Sequence, residues 1–160
     1  MDKVFILGGL RSYIGVRNSA YRHVPAEHLG AAVLKELTNR YQPSKIDMII
    51  CGNCVGGGGN ITRLMALEAG LSESIPSFTV DLQCASSLEA VITAAARIQS
   101  GLADLVIAGG FESSPLSPCA AITLTIHMSP PILIILPAIR LTYMTAVRLT
   151  IAMSAERGFP

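Results

Sequence analysis

The chain has 160 residues, 51% hydrophobic and only 14% charged against a usual ~25%, which is enough apolar surface for one ordinary domain or a piece of a larger one. A formal net charge of +1, no Trp and 5% aromatics exclude a basic nucleic-acid surface and a stacking platform for single strands. Four Cys are too few for a disulfide scaffold, so a reducing, cytoplasmic setting is expected.

Val4 to Leu7 is a short apolar run ending in Gly8-Gly9, as in a buried strand. Its apolar stretch is too short for a signal peptide and lacks a small-residue cleavage site. Pro25-Ala26-Glu27 opens a helix, because Pro suits a first turn and Glu27 suits the positive end of the helix dipole. Leu29, Val33 and Leu37 then repeat every fourth residue on one apolar face. Ile46 to Cys51 reads as a second strand and Gly56 to Gly59 as a loop. Asn60 caps a helix from about Ile61 to Ala69, stopped by Gly70. Phe78 to Gln83 reads as a third strand. Leu88 to Ser100 is a helix apolar nearly all round, with only Glu89 and Arg97 charged, and is expected to be buried on most sides. Asp104 to Gly110 is a fourth strand. Short apolar strands joined by helical crossovers predict an α/β domain with a mainly parallel sheet.

Composition changes after Pro118. Residues 1–118 hold 13 of the 14 Gly, whereas residues 119–160 hold one Gly and no Asp, Asn, Gln or Lys. The chain therefore divides into a domain at 1–118 and an aberrant, low-Gly apolar tail at 119–160. Residues 119–139 carry no charge except the titratable His127 and are long enough to span a bilayer. Pro130, Pro131 and Pro137 argue against a regular helix there, so no membrane partner is expected. A shifted reading frame from 119 to about 152 is the expectation that would account for the change. Codons exist for Cys119 to Pro131 whose neighbouring frame reads L-R-S-Y-N-P-N-H-P-Y-E-S-A, polar and loop-like.

The chemistry concentrates at Cys84, where a strand ends and a helix begins. Amides and the dipole at a helix start stabilise negative charge, which suits a thiolate nucleophile and an oxyanion. Ala85, Ser86 and Ser87 are small and leave room for substrate. A thiol there is suited to acyl transfer through a thioester. Position alone favours a small buried hydrophobe over a nucleophile. Cys51-x-x-Cys54 has redox or half-zinc spacing, but there is no second ligand pair, and His23 and His28 lack metal-site spacing. The Gly56–Gly59 loop lacks the G-K-[ST] of a phosphate cradle.

Five strings in order resemble the thiolase family of acetyl-CoA acyltransferases. Arg11-Ser12-Tyr13-Ile14-Gly15 is similar to R-T-P-[IF]-G. Pro25 to Gly30 is similar to P-A-E-x-L-G, and Cys51-Gly52-Asn53-Cys54 falls at a strand ending in G-N-V. Cys84-Ala85-Ser86-Ser87-Leu88-Glu89-Ala90 resembles the nucleophile signature C-[AGS]-S-[SAG]-x-x-A. Ala108 to Ser114 resembles A-G-G-x-E-S-M. The resemblance implies a thiolase-like N-terminal domain, a mainly parallel or mixed sheet with helices on both faces, here truncated. It implies Cys84 as the acyl-accepting nucleophile. The substrates would be coenzyme A thioesters, acetyl-CoA or a 3-ketoacyl-CoA, in thiolysis or Claisen condensation, with no metal or redox cofactor. A homo-oligomer is expected of the intact family. The family's G-H-P histidine and C-x-G cysteine are not matched by His127-Met128-Ser129 or Cys119-Ala120-Ala121. A catalytically incomplete fragment without turnover therefore stands as an alternative, as does another condensing enzyme such as a ketoacyl synthase. Glu112 and Ser113 are read as supports of the site rather than as acid or base. Met153 to Pro160 again looks family-like.

Overall fold

The computed structural model describes residues 4–16, 19–56, 58–113 and 148–155. The chain order is β1 (Val4–Leu10), α1 (Ala26–Tyr41), β2 (Met48–Gly52), α2 (Ile61–Glu68), β3 (Ser77–Val80), α3 (Ser86–Gln99), β4 (Leu105–Gly110) and β5 (Arg148–Ala155). They build a five-stranded sheet in the order β1-β5-β4-β2-β3. β2 pairs in parallel with both β3 and β4. β5 runs antiparallel to both β1 and β4, so the sheet is mixed.

Strand alternation sends neighbouring side chains to opposite faces. Ile49 and Cys51 join Leu29, Leu34, Leu37, Met65 and Ile107 in a core beneath α1 and α2. Ile50 joins Val106, Ala108, Ala90, Ala94 and Ile98 in a second core beneath α3. Helices therefore cover both faces.

The helix ends follow local chemistry. The Asn60 side chain accepts the Arg63 N–H at 3.2 Å, as an N-cap does. Gly70 and Gly101 end α2 and α3 with φ of +81° and +73°.

Three expectations shift. β1 runs past Gly8-Gly9 to Leu10, because β5 pairs along its whole length with a register shift between Ile6 and Gly8. β3 stops at Val80 rather than Gln83, because the chain folds into a tight turn before α3. α3 buries one stripe, Ser86, Ala90, Ala94 and Ile98, and leaves Leu88 and Ile92 at 61% and 52% exposure. Of the compositionally distinct segment 119–160, residues 148–155 form β5. The rest, with Cys119, His127 and the apolar stretch 119–139, lies outside the described residues. Among the described residues no helix is long and apolar enough to cross a membrane.

Candidate active site

β2, β3 and β4 are parallel, so their carboxyl ends Gly52, Val80 and Gly110 open on the same edge of the sheet. That edge is where open α/β sheets bind ligands. Three segments leave it: Asn53 to Gly56, Asp81 to Ala85, and Phe111 to Ser113.

The middle segment carries Cys84. Asp81 Oδ1 accepts the Gln83 N–H at 3.0 Å, an aspartate turn that breaks the strand. Gln83 takes φ +51°, a left-handed conformation unusual for a side-chain-bearing residue. The Ala85 N–H bonds to Leu82 O at 3.0 Å and the Ser86 N–H to Gln83 O at 3.1 Å. Ser86 Oγ locks the turn twice: it donates to Gln83 O at 2.6 Å and accepts the Leu82 N–H at 2.8 Å. Cys84 is held at the crest of this turn, two residues ahead of α3, with an exposed free thiol.

Glycines let α3 begin so close to the sheet. A Cβ at Gly52 would stand 2.5 Å from Ser87 N, and one at Gly110 would stand 2.9 Å from Ser87 Cβ. No side chain fits at either position.

The flanking segments are tied together by Glu112 and Asn53. The Glu112 carboxylate accepts the Cys54 and Val55 N–H groups at 3.0 and 3.1 Å. It also accepts Asn53 Nδ2 at 3.3 Å and the Cys54 thiol at 3.3 Å. Asn53 Nδ2 donates to Phe111 O at 2.8 Å, and the Phe111 N–H bonds to Gly52 O at 3.0 Å. Ser113 Oγ reaches Val24 O at 2.8 Å and pins the third segment to the chain before α1.

The other cysteines differ from Cys84. Burial pushes the Cys51 thiol up to about 12. Burial, then the Glu112 carboxylate, push the Cys54 thiol up to about 12 as well, with Asp81 and Cys84 as further electrostatic neighbours. Cys51 belongs to the apolar core and Cys54 to the site edge, so the C-x-x-C spacing does not mark a pair. His28 Nε2 lies 3.0 Å from Glu68 Oε1 between α1 and α2. Among the described residues no cluster of three His, Cys, Asp or Glu could hold a metal ion.

The sequence analysis expects Cys84 between a strand and a helix, where it lies, and reads Glu112 as a support, but it misses the Asn53–Cys54–Glu112 junction. A signal was there: polar residues directly following two apolar strands, which a parallel sheet brings side by side. The Asp81 turn was missed too, because Asp81 to Gln83 reads as a continuation of β3, although Asp two residues before a break is a common turn device.

The family model of the thiolase N-terminal domain matches residues 4–129, and the chain belongs to that family. It is 40% identical over 120 residues to VraB of Staphylococcus aureus (strain COL), described as a candidate acetyl-CoA C-acetyltransferase; the match covers 74% of this chain and 32% of that protein. It is 42% identical over 113 residues to the similarly described YhfS of Bacillus subtilis (strain 168), covering 71% and 31%. The fold superposes on the crystal structure of the Bacillus anthracis acetyl-CoA acetyltransferase with a TM-score of 0.71 and 34% identity, over 74% of this chain and 31% of that one. The chain thus spans about a third of the length of these relatives.

Proposed function

We propose that this chain carries the acyl-accepting part of a thiolase-type acyltransferase, with Cys84 as the nucleophile. The observation that supports this most is the placement of an exposed thiol on a locked turn at the start of α3, on the carboxyl edge of parallel strands. The Cys84 sulfur attacks the carbonyl of acetyl-CoA or a 3-ketoacyl-CoA. The carbonyl becomes an oxyanion, which amides at a helix start are suited to hold. Collapse expels coenzyme A, or the enolate of an acyl-CoA, and leaves an acyl-cysteine. A second acceptor, coenzyme A or an acetyl-CoA enolate, then takes the acyl group. Sulfur and thioester supply the chemistry, so no metal or redox group enters it. The same reading places the protein in the cytoplasm, acting in the metabolism of acyl thioesters.

The test is thiolysis of acetoacetyl-CoA by coenzyme A, followed as loss of enolate absorbance, in the wild-type chain and in Cys84→Ser. A loss that depends on Cys84 is expected. Equal rates in both proteins, or no loss in a folded sample, overturn the acyltransferase reading for this chain.

A further inference from the structure

We propose that Ser86 and Gln83 form a latch that aims the Cys84 sulfur: Ser86 is a positioning residue whose hydroxyl keeps Gln83 left-handed and so fixes the direction of the Cys84 side chain. This rests on the reading of Cys84 as the acyl-accepting nucleophile.

Three observations support it. Gln83 has φ +51°, a conformation that a residue with a Cβ keeps only where its surroundings impose it. Its side chain is exposed, and Gln is not one of the short polar residues that settle there by bonding locally to the backbone. The imposition comes from the neighbours. Asp81 Oδ1 accepts the Gln83 N–H, and the Gln83 carbonyl accepts both the Ser86 N–H at 3.1 Å and the Ser86 hydroxyl at 2.6 Å.

The second observation is what that hydroxyl bridges. Ser86 Oγ also accepts the Leu82 N–H at 2.8 Å. One oxygen therefore joins the peptide group entering Leu82 to the peptide group linking Gln83 to Cys84. A peptide group is planar, so holding its carbonyl fixes its tilt, and the tilt of this one sets where the Cys84 Cα–Cβ bond points.

The third is that the latch is referred to the sheet. Ser86 is 4% exposed, and a Cβ at Gly52 would stand 2.6 Å from the Ser86 Cβ, so Ser86 rests on the backbone of β2. The first bond of α3, from the Glu89 N–H to Ala85 O at 2.9 Å, does not use the Ser86 hydroxyl. Alanine at position 86 removes the bridge and leaves that bond and the contact with Gly52. The loss then falls on the sulfur. Acyl transfer needs the sulfur in line with the carbonyl carbon, and a misplacement of about 1 Å costs about a hundredfold in rate.

The test measures two rates at Cys84 in the full chain by peptide mass spectrometry. Acetylation by acetyl-CoA needs an aimed sulfur, whereas alkylation by iodoacetamide needs only an accessible one. In Ser86→Ala, acetylation should fall about tenfold to a hundredfold, while alkylation of Cys84 changes by no more than about threefold. Cys51, buried in the core, should stay unalkylated. Gln83→Val alters only an exposed side chain, but a β-branched residue resists positive φ, so acetylation should fall in the same way even if Ser86→Ala does not fold. Glycine takes positive φ freely, so Gln83→Gly added to Ser86→Ala should recover most of the lost acetylation. Wild-type acetylation rates in Ser86→Ala or Gln83→Val overturn the proposal, as does a double variant no faster than Ser86→Ala. Alkylation of Cys51 in both single variants, the mark of a lost core rather than a lost aim, overturns it too. A wild-type Cys84 that acetylates beside unaffected variants overturns the latch alone. A wild-type Cys84 that is alkylated but never acetylated overturns the acyl-accepting reading and the latch together.

Discussion

At the scale of single residues the site depends on what is missing as much as on what is present. Gly52 and Gly110 carry no side chain because the backbone and side chain of Ser87 occupy that space. Gly52→Ala is expected to cost about 1–3 kcal/mol, since a methyl forced into a packed contact must move its neighbours. The same change should lift the start of α3 and slow alkylation of Cys84 by iodoacetamide. Urea unfolding followed by circular dichroism reads the first effect. An unchanged midpoint would show that α3 does not rest on Gly52. Cys51 carries a different consequence. Its thiol is held neutral by burial up to about 12, well above the ordinary thiol value near ~8.5. The stabilisation is therefore present below that ordinary value and is lost as pH rises toward about 12, at no more than about 1.4 kcal/mol per pH unit. Thermal melts between neutral and strongly alkaline pH should show this slope, and Cys51→Ala should flatten it. Equal slopes in the two proteins would contradict the assignment.

At the scale of elements, most of the fold was legible where local chemistry decides. Asn60, Gly70 and Gly101 act where the sequence placed their ends, because caps and left-handed stops are properties of a few adjacent residues. Asn60 also donates from Nδ2 to Ser77 O at 2.8 Å, tying α2 to β3. Asn60→Ala should cost about 1–2 kcal/mol, a little above a bare cap. Hydrogen exchange in α2 checks it, and unaltered protection of the Arg63 amide would rule the cap out. What was not legible lies where distant segments meet. β5 inserts between β1 and β4, and nothing in the local pattern of Arg148–Ala155 names those partners. The early end of β3 was hidden because Leu82 continues the apolar alternation although Asp81 and Gln83 have already turned the chain. The Glu112 junction was hidden for a related reason: its partners lie 57 to 59 positions away and meet only once β2 and β4 pair.

At the scale of the whole molecule, α3 sets the physical behaviour. The sequence shows a helix apolar nearly all round, but the sheet uses only the Ala90–Ala94–Ile98 stripe. Leu88 and Ile92, one turn apart, face outward at 61% and 52% exposure. An apolar stripe of this kind promotes association in water. Sedimentation at rising concentration should show self-association that a Leu88→Lys, Ile92→Glu double variant reduces. A wild-type chain that stays monomeric throughout would contradict this. The helices could be read from hydrophobic periods, whereas the side of α3 left bare could not. That side depends on how a mixed sheet, with β4 at its centre, fills only one stripe of the helix.

The central claim is that Cys84, and not another thiol, accepts the acyl group. Brief exposure of the folded chain to acetyl-CoA, followed by quenching and peptide mass spectrometry, measures it directly. An acetyl group on Cys84, absent from Cys51, Cys54 and Cys119 and lost in Cys84→Ser, is the expected result. Uniform labelling of all four cysteines, or an unlabelled Cys84 in a folded sample, would contradict the account.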